Sequence, residues 1–301
     1  MKSGLSDNLW EILRCAYCGN AINKKNDGAE CQGCKTFYPS AASGPLDLRL
    51  RKSRKYELEF NIDSELLPPG GFNFETLTMN KKPAVDFSNM TVPHHLTAEV
   101  LSYFPKAASK GSLMLDLGCG DTVHRDVSNR AGFEYVGLDY FSPDAPILGD
   151  AHALPFADNT FDFILSIAVL EHIRYPFVMM REAHRVLKPH GKLIGTVSFL
   201  EPFHGDSFYH HTHLGLYNSL QYGGFKIERI APSKTWSGLR AQANMILFPK
   251  LPRILSQAVV LPIEMLHRIW WSAGRLITKK GDEQGRIRST TGAFTFIASK
   301  D

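Results

Sequence analysis

The chain has 301 residues, 44% of them hydrophobic and 21% charged, with 34 Lys and Arg against 30 Asp and Glu. This composition excludes wholesale disorder, a collagen-like fibre and a multi-span membrane protein, and the length suits one large domain or a large domain carrying a smaller one. A net charge of +4 does not announce a nucleic-acid binder, so any basic footprint must be local. Residues 1–10 hold a single Lys and no apolar run fit for a secretory signal, so a cytoplasmic location is expected. The longest apolar stretch, residues 254–271, is broken by Gln257, Pro262, Glu264, His267 and Arg268, which argues against a spanning helix.

The first chemical signal is a pair of C-x-x-C knuckles, Cys15 with Cys18 and Cys31 with Cys34, twelve residues apart. Such spacing places four thiolates at the corners of a tetrahedron, the donor set of a structural Zn²⁺ site with no open position for chemistry. Two disulfides or a catalytic dithiol are the alternatives; a reducing compartment weighs against the first, and the lack of a βαβ pattern around either pair against the second. A segment this short needs such a staple to fold. The strings LRCAYCGN and AECQGCKTFYPSAASGPLDLR resemble the zinc ribbon family of small methyltransferase activators, over residues 10–50. The resemblance implies an accessory module, here taken as residues 1–50.

Next comes RLRKSRK, residues 49–55, a basic run that reads most simply as a solvated face. Pro68, Pro69, Gly70 and Gly71, then Lys81, Lys82 and Pro83, mark a loop-rich, lid-like connector over residues 51–92. Its aromatic residues Phe72, Phe74 and Phe87 imply that it packs against something.

A helix is expected over residues 94–104. It is followed by SLMLDLGCGDT, residues 112–122, which reads as a buried strand ending in an acid, Asp116, and a tight turn at Gly118 and Gly120. Asp139 ends a second apolar run and Asp150, with Ala151 after it, a third. Acids at successive strand ends lie where a doubly wound sheet binds a nucleoside. From residue 113 to 225, with a last strand at 294–299, the chain resembles the class I S-adenosylmethionine-dependent methyltransferases of the small-molecule type. LDLGCGDT, GDAHALPFADNTFDFILSIAVLEHI and REAHRVLKPHGKLIGTV carry that resemblance. It implies an α/β, doubly wound, Rossmann-like seven-stranded sheet with an antiparallel last strand, spanning residues 93–301. It also implies S-adenosyl-L-methionine as cofactor, held by Asp116, Gly118, Gly120, Asp139, Tyr140, Asp150, Ala151 and Ser166. Thr122 departs from the family, standing where many members have a third glycine. The two acids beside the turn, Asp116 and Asp121, would repel a pyrophosphate, which sets NAD aside.

A proton acceptor is needed only if the methyl acceptor must lose a proton. Candidates are Glu171 and His172 past the fourth strand, and His210 and His211 in a cluster with Glu201, His204 and His213, where this fold usually builds its acceptor wall. Thr212 reads as the N-cap of a helix running to Tyr222 and closed by Gly223 and Gly224.

More than sixty residues separate the sixth strand, 225–230, from the seventh, 294–298. Within that span an amphipathic helical insertion is expected over about 240–285, with a break or kink at Pro262. It could pack on the domain or on a second subunit, so an oligomer is one reading. Trp270 and Trp271, flanked by Arg268, Arg275, Lys279 and Lys280, suggest peripheral membrane contact through residues 250–280. The sequence thus reads as a cytoplasmic methyltransferase, peripheral at a membrane through that insertion, acting on a small-molecule, lipid-linked or glycan intermediate. An RNA methyltransferase using the ribbon to grip RNA is the rival. The weak charge and the Ser166, Ile167, Ala168, Val169 run in place of an Asn- or Asp-Pro-Pro-Tyr motif leave a nucleic-acid partner unexpected. A non-catalytic cofactor-binding scaffold comes third.

Overall fold

The computed structural model describes residues 7–40, 44–60, 68 and 72–301. The short helix α1 (Asp7–Ile12) leads into β1 (Ile22–Lys25), β2 (Gly28–Cys31) and β3 (Phe37–Pro39), which pair antiparallel in that order. The four cysteines of the two knuckles lie in and beside this small sheet. It is followed by β4 (Leu46–Asp47), and from there to residue 97 the described chain is irregular. Of the turn expected at 68–71, only Pro68 lies among the described residues.

The large module then runs α2 (Ala98–Leu101), β5 (Leu113–Leu117), α3 (Arg125–Ala131), β6 (Glu134–Asp139), β7 (Ile147–Leu148), β8 (Phe161–Ile167), α4 (Pro176–Val186), β9 (Leu187–Ser198), α5 (His213–Gly223) and β10 (Lys226–Pro232). The chain closes with α6 (Gly238–Gln242) and a π-helical turn (Ala243–Leu247), then α7 (Arg253–Thr278), α8 (Glu283–Thr290) and β11 (Ala293–Ser299). The sheet order is β10-β11-β9-β8-β5-β6-β7-β4. Strands β4 to β9 run parallel where they pair, and β11 is antiparallel to both β9 and β10. The fold is the doubly wound Rossmann-like α/β sheet with an antiparallel last strand. Central strands β5 and β8 read as apolar runs because helices cover both faces.

The seven expected strands carry an eighth. Leu46 and Asp47, at the end of the cysteine module, pair parallel with Ile147 and Leu148, so the ribbon extends the edge of the large sheet. Leu48 is fully buried, and Leu13, Cys15, Cys31 and Tyr38 share one apolar cluster with Leu138, Ile147 and Phe156. Burying a leucine contributes about 1.5–3 kcal/mol, enough to fix a two-residue strand that hydrogen bonds alone would not hold. The connector also packs inward: Phe60 on Phe177, Phe72 on Tyr217, Phe74 on His213 and Phe87 on Phe104.

Local chemistry sets the helix ends. Thr212 caps α5, its hydroxyl accepting from the Gly215 amide at 3.1 Å, and Gly224 closes that helix with φ 90°. The helix expected over 94–104 is a single turn, α2, because Thr97 takes the N-cap role and leaves His94 and His95 in the turn before it. Helix α7 runs without a break through Pro262 for 26 residues.

Candidate functional site

Two sites emerge. In the first, Cys15, Cys18, Cys31 and Cys34 bring their four sulfurs within 4.8 Å of one another. Cys15 Sγ lies 3.5 Å from Cys34 Sγ, and Cys18 Sγ 3.4 Å from Cys31 Sγ. A tetrahedral Zn²⁺ with bonds of about 2.3 Å needs sulfurs about 3.8 Å apart, so the donor set fits the ion. All four cysteines are free. The Tyr38 hydroxyl sits 3.1 Å from Cys15 Sγ and accepts from the Ala16 amide, and the Asn20 side-chain amide donates to Cys18 Sγ. That donor is the main cause holding the Cys18 thiol down at about 6.

The second site lies at the carboxyl ends of the parallel strands, the place where the strand order of a doubly wound sheet leaves a crevice. Gly118 ends β5 with φ 78°, and a Cβ there would come within 2.3 Å of Val169, so only glycine lets the loop lie this close. Gly120 has φ 48°, and a Cβ there would meet nothing within 4 Å: it faces open space. Asp139, at the end of β6, accepts from the Gly120 amide at 3.0 Å through one oxygen and from the Phe141 and Ser142 amides through the other. Tyr140 beside it is 42% exposed. Asp150 accepts from the ring and the amide of His152. Burial alone would raise the Asp150 carboxyl, but those two donors hold it below its ordinary value. Ala151 is buried, and Ser166 is buried with its hydroxyl unpartnered among the described residues.

Asp116 behaves differently from the other acids. It is fully buried, accepts from the Tyr135 hydroxyl at 2.7 Å, and holds His124 Nδ1 at 3.0 Å from each oxygen. Thr122 takes the left-handed conformation, φ 59°, that the missing glycine would have adopted freely. Cys119, the fifth cysteine, is buried, and burial raises its thiol well above the usual range, which fits a packing role.

A cavity of about 540 Å³ opens over this loop. Its floor is Gly118, Gly120, Asp121 and Ala168; its walls are His95, His124, Glu201 and Trp236; and the insertion closes it with Asn244, Met245 and Arg253. The Arg253 guanidinium lies 4.7 Å over the Trp236 ring, and Trp236 Nε1 donates to Glu201.

None of the four side chains singled out for proton transfer lines this cavity, and of them only Glu171 and His172 come together, with His204 beside them. Glu171 is fully buried, 2.6 Å from the Ser198 hydroxyl, and burial raises its carboxyl. His172 stacks edge-on against His204 at 5.3 Å. His211 is buried, its Nε2 has no partner among the described residues and burial lowers its ring's pKa, whereas His210 is exposed. Sequence reasoning passed over His95, His124, Trp236 and Arg253. The His94-His95 pair was the only local signal, since nothing in the order of residues shows that four distant segments meet.

Residues 115–195 match the methyltransferase domain family. That segment contains β5 through most of β9, the glycine turn and all three strand-end acids. Among curated relatives, the demethylmenaquinone methyltransferase of Renibacterium salmoninarum is 30% identical over 153 residues, covering 42% of this chain and 64% of that protein. The ubiquinone biosynthesis O-methyltransferase of Ruegeria pomeroyi is 31% identical over 96 residues, covering 27% and 39%. The chain therefore spans less than two thirds of these relatives' lengths. Among solved structures, a SAM dependent methyltransferase from Archaeoglobus fulgidus aligns with TM-score 0.43 and 16% identity, covering 64% of this chain and 87% of that one. Haemonchus contortus phosphoethanolamine N-methyltransferase 2, in complex with S-adenosyl-L-methionine, aligns with TM-score 0.40 and 20% identity, covering 64% and 50%.

Proposed function

We propose that the whole chain is an S-adenosyl-L-methionine-dependent methyltransferase acting on a small molecule, with a lipid-borne hydroxyaromatic of the quinol type as the first acceptor to test. The observation that carries this reading is the open space in front of Gly120, bounded by the Asp139 carboxylate, inside a segment that matches the methyltransferase domain. Asp139 suits the ribose hydroxyls, Asp150 the adenine amino group, and Gly118 and Gly120 the methionine end, with Tyr140, Ala151 and Ser166 framing the base. Bound there, the cofactor supplies an electrophilic methyl group on a sulfonium. The chain's own contribution is alignment and exclusion of water, because a reaction between held partners needs little else. Trp236 and Met245 offer the acceptor an apolar wall, and Arg253 offers an anionic group on it a counter-charge. Of the proton-transfer candidates, Glu171 and His211 are buried, and only His172 and His210 retain access to solvent.

The quinol class is supported by the two relatives' names and by the outward face of α7. Ser256, Val260, Glu264, His267 and Trp271 turn toward the domain, and Ile254, Leu266, Ile269, Trp270 and Leu276 are all more than 60% exposed. No described helix is long and apolar enough to cross a membrane. An apolar face beside the basic stripe of Arg268, Arg275 and Lys279 suits a helix lying on an anionic bilayer. The four thiolates are proposed to hold a structural Zn²⁺.

Calorimetry with S-adenosyl-L-methionine tests the cofactor site. The parent chain binds, and Asp139→Ala weakens binding by at least about tenfold, the cost of leaving ribose hydroxyls without their charged acceptor. Absence of binding by the parent would overturn the enzyme reading. Release of S-adenosylhomocysteine on adding demethylmenaquinol, demethylubiquinol or catechol then reads the acceptor class.

A further inference from the structure

A chain of three titratable groups runs inward from the cavity wall, and the acid at its end, Asp116, which the family resemblance assigns to the cofactor, is engaged by groups of the chain itself. Asp116 is fully buried and receives protons from two sides, the Tyr135 hydroxyl at 2.7 Å and His124 Nδ1 at 3.0 Å. His124 is itself 4% exposed, and its far nitrogen, Nε2, lies 2.6 Å from Nε2 of His95. One proton must sit between two nitrogens that close. The carboxylate fixes which ring supplies it. A histidine whose Nδ1 faces an accepting carboxylate carries its proton there, so His124 Nε2 is an acceptor and the shared proton belongs to His95 Nε2. His95 Nδ1 is then left with a bare lone pair. That nitrogen has no partner among the described residues and is not among the sealed, unpartnered atoms, and His95 lines the cavity.

We infer that His95 is the residue that takes the acceptor's proton, through Nδ1, and that His124 and Asp116 form the relay that carries the resulting charge inward. This rests on the methyl-transfer reading of the same pocket. The balance is simple. The acceptor's O–H or C–H bond breaks and its electron pair makes the new bond to the methyl carbon, while the donor's S–CH3 bond would break and leave its pair on sulfur as a neutral thioether. The proton goes to His95 Nδ1. His95 then passes its Nε2 proton to His124 Nε2, so His95 ends neutral and His124 becomes an imidazolium held against Asp116. Solvent later recovers the proton by the reverse route.

The relay answers an electrostatic difficulty. A lone imidazole here is a poor proton acceptor, because burial first, then His124, His94 and Arg253, hold His95 down at about 4. A second ring backed by a buried carboxylate moves the positive charge away from Arg253 and toward an anion. The remaining groups able to carry charge around the cavity are Cys119, Asp121 and Glu201, and none is hydrogen-bonded to either ring. The turn that presents His95 is short for a reason already given: Thr97 caps α2 and leaves His94 and His95 ahead of it.

Nitrogen NMR of the histidine rings, on the full chain with S-adenosylhomocysteine as the cofactor-site probe, reads the tautomers directly. The expected spectrum has His95 protonated at Nε2 and bare at Nδ1, and His124 protonated at Nδ1. In His124→Gln the single His95 tautomer gives way to a mixture. A His95 ring protonated at Nδ1, or a His95 tautomer unchanged in His124→Gln, overturns the relay. With the quinol that the parent chain methylates, His95→Gln lowers kcat by about 10²–10⁴, the range for lost general-base catalysis. KM and cofactor Kd stay within about twofold, since the proton moves only in the transition state. A raised KM with unchanged kcat would instead make His95 an acceptor grip and overturn the inference. Calorimetry of S-adenosylhomocysteine on the same samples separates the two levels: parent chain that shows the tautomers but does not bind the probe overturns the methyl-transfer reading, and with it the relay's purpose.

Discussion

Single residues in this protein work mainly by where their protons and charges are allowed to sit. Ser198 shows this, its one hydroxyl lying 2.6 Å from a carboxylate oxygen of Glu171 and 2.6 Å from one of Glu201. A hydroxyl donates only once, so the second short contact needs a proton on a carboxyl, and Glu171, fully buried and raised by that burial, is the group to hold it. The consequence for stability has a definite sign. Below the unfolded carboxylate's value, about 4.3, both states hold the proton and burial costs nothing through ionisation. As pH rises through that value the unfolded chain ionises first, and stability falls until pH passes the raised folded value. Thermal melts of the parent chain should therefore lose ground to Glu171→Gln as pH rises above the unfolded carboxylate's value. A difference in Tm that does not vary with pH would remove this account. Gly118 makes the complementary point about shape. Its φ of 78° and the 2.3 Å approach of Val169 mean that Gly118→Ala must displace the glycine turn that floors the cavity. Asp116 and Asp139 show what the sequence could and could not say at this scale. Both stood out as acids at strand ends, but only the geometry separates the one exposed to the pocket loop from the one turned inward to His124.

At the scale of elements, the cysteine module is joined to the large sheet and not merely tethered to it. Strand β4 pairs with β7, and Asp47, the last residue of that strand, forms an ion pair at 2.7 Å with Arg49. Arg49 in turn donates to the Tyr140 carbonyl and lies 5.5 Å over the Tyr140 ring, one residue from Asp139. The ribbon thus props the loop that carries Asp139, the residue proposed to hold the ribose hydroxyls. Arg49→Ala should weaken S-adenosyl-L-methionine binding by about two- to fivefold, the worth of one exposed cation–π contact, with Tm unchanged. Equal affinity in parent and variant would show that the prop is not felt. Leu48→Ala, in contrast, empties a fully buried site and should cost about 2–5 kcal/mol in chemical denaturation. Metal analysis of the purified chain should give about one zinc per molecule, falling to none in Cys31→Ser with a lowered Tm, as expected where a closed thiolate site supplies folding energy. The two C-x-x-C pairs were plain in the sequence, yet the attachment through Leu46 and Leu48 was not. A two-residue strand is too short to show a period.

For the whole molecule, the insertion divides its labour between two surfaces. Asn244, Met245 and Arg253 close the cavity, while the opposite side of α7 presents Ile254, Leu266, Ile269, Trp270 and Leu276 to the outside. A patch of this size on an isolated chain marks a surface that meets something apolar. If that is an anionic bilayer, vesicles containing phosphatidylglycerol should carry the parent chain upward in flotation, less so at high salt. Trp270→Glu with Leu276→Glu should stay behind while keeping cofactor affinity, because neither side chain lines the cavity. Equal partition of the two proteins would remove the membrane role. A soluble acceptor would then be left to enter the cavity from solvent.

The order of residues by itself determined the covalent and local facts: four thiols in two knuckles, glycines at a turn that must take positive φ, acids at the ends of apolar runs, and Thr212 and Gly224 bounding a helix. Each rests on chemistry within a few neighbours, which is why the cysteine cluster and the doubly wound sheet were legible. The tertiary structure alone decided which distant groups share a space. It added the ribbon's strand to the sheet, turned the apolar face of α7 outward, continued that helix through Pro262, and brought His95, His124 and Asp116 into one hydrogen-bonded line. These depend on packing between segments far apart in the chain, where the hydrophobic pattern specifies that a face is apolar but not what will cover it.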